Sequence, residues 1–149
     1  MPATVLARLL ADREASAVQV VDAHLRRIAD VDVAINAVVQ VDGERALARA
    51  RELDAGPPTG PLHGVPFTVK DNLAAAGIPM AIGAPERAGV VPAQDATVVA
   101  RMRAAGAILD GKTNCPPYGG GIETDNEVYG RTNNPYDPAE VGGQPDAPA

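Results

Sequence analysis

Apolar positions recur at helical spacing through the first third of the chain. Val18, Val21, Leu25 and Ile28 follow at intervals of three and four, which places them on one face of a helix that needs a packing partner. Ser16 stands three residues before Gln19 at the start of that run. This is the capping-box pattern, in which two side chains satisfy free backbone N–H groups at a helix start. His24 and Arg26 lie on the same helix and read as solvated surface. A second amphipathic helix is predicted from Glu44 to Leu53 through Leu47, Ala50 and Leu53. Between the two, Ala37 to Val41 is short, apolar and β-branched, and reads either as a strand or as a short extended linker. Gly56, Pro57, Pro58 and Gly60 then break every periodicity and mark a boundary.

Beyond that boundary the pattern changes. Val65 to Lys70 is apolar and β-rich, the signature of a buried strand. Asp95 to Ala105 has an acidic start, then Val98, Val99 and Met102, and Gly106 as a stop, so a helix is predicted there. Ala107, Ile108 and Leu109 follow at once as a strand leading to Lys112. Strand, connection, helix and strand imply an α/β sheet with a crossover. From Asn114 onward the chain is rich in Gly, Pro and Asn and reads as loop, with Tyr118, Tyr129 and Tyr136 spaced through it. No internal repeat is visible. The chain therefore divides into a helical segment over residues 1–56, an α/β portion over 57–143 and a Pro-rich tail over 144–149.

Composition narrows the function classes. The 149 residues carry 13 basic and 19 acidic side chains, a formal net charge of −6. A protein held to nucleic acid by phosphate contacts is usually basic, and an acidic chain gains nothing from an anionic membrane surface. Neither partner is expected. One cysteine provides no internal disulfide framework, and one cysteine with two histidines leaves little for a zinc site, so no metal or other cofactor is expected. No apolar stretch is long enough to span a bilayer, and the N-terminus lacks the regions of a signal peptide. The expected setting is the cytoplasm. Ala and Val dominate the apolar residues, Trp is absent and Phe67 is the sole phenylalanine, so an independent fold is expected to be marginal.

Only two lysines occur, Lys70 and Lys112, and one serine, Ser16. Lys70 ends an apolar strand in a chain that otherwise uses arginine for positive charge. Arginine is effectively never deprotonated, whereas a desolvated lysine can give up its proton. Lys70 is thus a candidate general base, the alternative being a solvated strand-end lysine paired with Asp71. Lys112 is placed similarly, with Asp110 beside it as the expected partner. A Ser–Lys pair would need a nucleophile, but Ser16 reads as a helix cap. Cys115 would be nucleophilic only if His63 lay near it, and otherwise reads as a small buried or loop residue. Gly119, Gly120 and Gly121 could offer backbone N–H groups to an anion, but no lysine and Ser/Thr follow at phosphate-loop spacing. Glu123, Asp125 and Glu127 form an acidic run that reads as solvated loop rather than a metal site.

Taken together, several separated stretches resemble the amidase signature family. They are GPLHGVPFTVKDN at 60–72, DATVVARMRAAG at 95–106, DGKTN at 110–114, YG at 129–130 and NPYD at 134–137. The motifs stand in the family's order and cover residues 60–143 almost continuously. The resemblance implies an α/β fold with a mixed central sheet, of which this chain would hold the N-terminal part. It implies hydrolysis of amide C–N bonds by a Ser–cis-Ser–Lys triad without a metal. Lys70 matches the family's catalytic lysine, which takes the proton relayed by the cis-Ser from the nucleophilic Ser. The segment from Thr113 to Gly121 resembles one lining the acyl side of the pocket, so Cys115, Gly119, Gly120 and Gly121 become pocket-lining candidates. His63 falls in a motif read as structural.

One departure is large. After Gly142 and Gly143 the family continues into a Ser-Ser-Gly-Gly run, where this chain has QPDAPA at 144–149. Two of three triad positions therefore have no counterpart among these residues. The expectation is a truncated or frameshifted amidase, inactive alone, whose uncovered core surface invites self-association. A non-catalytic fragment that binds a partner is the alternative. The substrate would be a small amide in a completed enzyme, and the glutamine-hydrolysing subunit of a tRNA-dependent amidotransferase is the minority reading.

Overall fold

The computed structural model describes residues 1–136, so the expected tail at 144–149, Gly142 and Gly143 lie outside the described residues. Among these residues four helices pack on a three-stranded sheet: α1 (Ala3–Ala11), α2 (Ala17–Ile35), β1 (Val38–Val41), α3 (Gly43–Ala55), β2 (Pro66–Lys70), α4 (Thr97–Ala104) and β3 (Ile108–Thr113). Short 3-10 turns occupy Pro85–Arg87 and Pro117–Gly119.

The capping box forms as its sequence predicts. Ser16 Oγ accepts from the Gln19 amide at 3.1 Å, and Gln19 Oε1 accepts from the Ser16 amide at 2.9 Å. The Asp54 carboxylate accepts the next two amides, Ala17 at 2.7 Å and Val18 at 3.0 Å, so the end of α3 closes the start of α2. Asn36 ends α2 in the left-handed conformation, and Asp32 Oδ1 accepts from Ala37 and Val38 at 2.8 and 3.1 Å. That turns the chain directly into β1. The segment that reads as strand or linker is therefore a strand, antiparallel to β3.

The sheet order is β1-β3-β2, with β2 parallel to β3. Parallel neighbours require a crossover, which α4 supplies. On one face, α1, α2 and α3 bury Leu10, Val21, Ala46, Ala50 and Leu53 against Val65 and Ile108. This core crosses the boundary at residue 56, drawing on both sides of it. On the other face, Val99 of α4 packs with Val69, Ala75, Ile78 and Leu109.

One irregularity matters for the site. Phe67 pairs with Leu109 but Thr68 pairs with Gly111, so Asp110 is an extra residue on β3, a bulge. The bulge re-aims the Asp110 side chain away from the neighbouring lysine and towards α2.

Candidate active site

The C-terminal ends of the parallel strands β2 and β3 lie side by side, with Lys70 opposite Thr113. In open α/β sheets ligands gather outside these carboxyl ends. Lys70, Cys115 and Gly119 come together there. The Lys70 charge is felt at the Cys115 thiol, and a Cβ on Gly119 would stand 3.4 Å from Nδ2 of Asn72, two residues after Lys70. Gly121 packs near Pro116, and Gly120 beside the Pro117 carbonyl.

Lys70 itself is exposed. This corrects the reading of 65–70 as a wholly buried strand. Val65 and Val69 are buried, but β2 is an edge strand among the described residues, and its last side chain is exposed. Lys112 is the reverse case. It is fully buried and pairs with the equally buried Asp71 at 2.9 Å, not with Asp110. Pairing between near neighbours in sequence, Lys70 with Asp71 and Lys112 with Asp110, is thus replaced by a cross-strand pair. Alternation along a strand points Lys70 and Asp71 to opposite faces, and although it would put residues 110 and 112 on one face, the extra residue of the bulge breaks it and turns Asp110 away from Lys112.

The freed Asp110 meets His24. The reading of His24 as solvated surface is therefore corrected, because its Nδ1 donates to the buried Asp110 Oδ2. Arg26 remains exposed and pairs with Asp22 one turn away on the same helix. The His24 imidazole is raised above its ordinary 6.5, chiefly by this hydrogen bond, with partial burial opposing and the Asp110 charge assisting. A group raised in the folded state adds stability that is complete below its unfolded value and lost as pH rises through the folded one. The urea midpoint of the wild type is therefore expected to exceed that of His24→Gln most below pH 6.5, with the gap closing as pH rises above it. A gap that grows with pH would contradict the pair.

Cys115 is buried, with Sγ 3.1 Å from the Pro116 carbonyl. Burial raises its thiol, with the Lys70 charge opposing. A raised thiol is a poor nucleophile at neutral pH. His63 lies before β2 and Cys115 after β3, at opposite ends of parallel strands, and His63 Nδ1 accepts from the Thr59 amide at 3.1 Å. The pairing that would activate Cys115 does not form. Glu123, Asp125 and Glu127 are exposed.

The loop carrying Cys115 and the glycines is tied down by asparagines that the sequence reading passed over. Asn126 Nδ2 donates to Asn114 Oδ1 at 2.8 Å and to the Cys115 carbonyl at 2.9 Å. Asn114 Nδ2 reaches the Gly130 carbonyl at 2.9 Å, and Asn36 reaches the Tyr129 and Arg131 carbonyls at 2.7 and 3.0 Å. An asparagine amide offers both donors and an acceptor, which suits it to irregular backbone. The density of Asn in a Gly- and Pro-rich stretch was the available signal. Tyr129 Oη accepts from Gln40 of β1 at 3.1 Å, and burial raises its phenol.

Comparisons with known proteins agree with this geometry. The Amidase family profile matches residues 19–143. A glutamyl-tRNA(Gln) amidotransferase subunit of Salinispora tropica is 44% identical over 142 residues, 93% of this chain and 29% of the relative. The acylamidase of Rhodococcus erythropolis is 41% identical over 140 residues, 91% of this chain and 29% of the relative. Among solved structures, the peptide amidase of Stenotrophomonas maltophilia superposes with a TM-score of 0.84 at 32% identity, covering 92% of this chain and 30% of that one. The chain thus spans about three tenths of the length of the relatives it matches. No helix among the described residues is long and apolar enough to cross a membrane. With profile, relatives and superposition in agreement, the chain belongs to the amidase signature family.

Proposed function

We propose that this chain carries the lysine portion of an amide-hydrolysing site, with Lys70 as proton acceptor and the serine hydroxyls supplied by residues outside this sequence. The observation that carries the reading is the place of Lys70: it closes β2 at the carboxyl end of a parallel pair, inside an amidase fold, beside the loop of Cys115 and Gly119. In the reaction, a serine hydroxyl attacks the amide carbonyl. Its proton passes through a second hydroxyl to the Lys70 amine. The C–N bond breaks as that proton returns to the leaving amine, and water then cleaves the acyl ester. Cys115, Gly119, Gly120 and Gly121 line the acyl side. Ser16 is no candidate nucleophile, because its hydroxyl is committed to the α2 cap. The substrate class is a small amide. Glutamine is the narrower choice suggested by the amidotransferase relatives.

Two features support a requirement for further chain. Lys70 is exposed, and the outer edge of β2 is unpaired among the described residues. An open edge is a template for another strand. The test joins residues 1–143 to the part of the Rhodococcus acylamidase that follows its matching stretch. The joined chain is expected to hydrolyse a simple anilide. The 149-residue chain alone is expected to show no turnover and a concentration-dependent size on gel filtration. Equal turnover by the short chain, or a folded but inactive joined chain, would refute the reading.

A further inference from the structure

We propose that Lys112 and Asp71 are positioning residues: a buried charged bolt that fixes the backbone at Lys70 and, through two left-handed residues, the loop facing it. The proposal rests on the amidase reading for its catalytic consequence, but the bolt itself is a property of this chain.

Both side chains are fully buried. Lys112 Nζ donates to the Asp71 and Pro79 carbonyls, each at 3.2 Å, and lies 2.9 Å from Asp71 Oδ1. Two of its protons thus have directed carbonyl acceptors. The approach to Oδ1 is a charge contact, whereas the directed bonds go to carbonyls. The other carboxylate oxygen, Oδ2, accepts from the Ile82 amide at 2.7 Å. The Asp71 amide donates to the Thr113 carbonyl at 2.8 Å. The residue next to Lys70 is therefore hydrogen-bonded through its amide, its carbonyl and Oδ2, with Oδ1 against the Lys112 charge.

The grip extends to strained backbone. Ile82 has φ 49°, a left-handed conformation that a β-branched residue rarely adopts. Its carbonyl accepts from the Tyr118 amide at 2.8 Å, and Tyr118 is also left-handed at φ 54°. Tyr118 leads to Gly119, which packs back against Asn72. The path runs from Lys112 through Asp71, Ile82 and Tyr118 to Gly119 and returns beside Lys70. Such conformations persist only where surroundings over-determine them, and they cluster at functional sites. A buried ion pair rarely stabilises a fold more than well-packed apolar residues would. An apolar pair would leave the Ile82 amide and the Pro79 carbonyl without these partners. The charge pair thus defines one geometry.

The test is amide hydrogen exchange of the 149-residue chain. Lys112→Met removes the donors at similar volume. Exchange at Ile82 and Tyr118 is expected to rise at least about 100-fold, while core amides at Ala50 and Val99 change less than about 10-fold. Adding Asp71→Asn, which keeps an acceptor for Ile82 and removes the stranded charge, is expected to recover most of the protection. If Lys112→Met does not fold, the double variant Lys112→Met with Asp71→Leu, which removes the Ile82 acceptor and leaves no buried charge, is read in the same way. Unchanged exchange at Ile82 and Tyr118, or an equal rise at core and loop, would overturn the bolt. In the joined chain, Lys112→Met should lower kcat at least about 100-fold with little change in KM. An active joined chain whose kcat is indifferent to Lys112→Met would overturn the positioning role and leave the amidase reading intact. An inactive joined chain would refute that reading, while the exchange data still decide the bolt.

Discussion

Lys70→Ala in the joined, active chain should lower kcat by about 10³-fold or more, the scale seen when one member of a nucleophile–base unit is removed. KM should change little, because the proposed role of the lysine is in the hydroxyl relay and not in substrate binding. Lys70→Arg should fail nearly as badly. Arginine keeps the positive charge but is effectively never deprotonated, so it cannot accept the relayed proton. This pair of variants separates a proton acceptor from a mere cation. If Lys70→Arg retained most of the activity, the residue would be acting as a fixed charge and the proposed relay would be wrong. Steady-state rates on a simple anilide decide it.

Gly83→Ala is the second large effect, and it falls on stability. Gly83 has φ +67°, and a Cβ there would stand 2.6 Å from the Cys115 carbonyl oxygen and 3.0 Å from the Pro116 carbonyl carbon and the Pro117 nitrogen. All three are backbone atoms, so no side chain can swing aside. A left-handed non-glycine residue costs roughly 1–2 kcal/mol, and forcing extra volume into a packed site adds about 1–3 kcal/mol. A loss of about 3 kcal/mol should lower Tm by roughly 10 °C in a domain of this size. Gly89 is the control: it has no neighbour within 4 Å of the added atom, and Gly89→Ala should leave Tm nearly unchanged. Equal Tm values for the two variants would mean that the loops at Gly83 and Cys115 do not pack as described. The same contact packs the Gly83 segment against the Cys115 loop.

What could be read in advance followed short-range rules. The Ser16–Gln19 box, the apolar face of α2, the α4 region ending at Gly106 and the strand leading to Lys112 each depend on residues within one or two turns. Strand β1 was ambiguous because four residues of β-branched character also suit a linker. Its antiparallel pairing with β3 resolves it, and that partner is some 70 positions away. His24 illustrates the opposite failure. His24 reads as surface because nothing within a few turns of its helix names Asp110, its partner 86 positions along the chain.

The amino-acid sequence by itself determined the family, the helical first third, the α/β order that follows and the nomination of Lys70. Motif order and local periodicity are properties of the chain, and they survive without coordinates. Tertiary structure alone decided which charges meet. Pleating alone would put Lys112 and Asp110, two residues apart, on one face; the bulge between them reverses this, so each finds a distant partner, Asp71 and His24 respectively. It also decided exposure: the same apolar run that suggested a buried lysine ends on an edge strand, where burial depends on what lies alongside. Charge pairing and burial are set by neighbours in space, and proximity along the chain does not fix them.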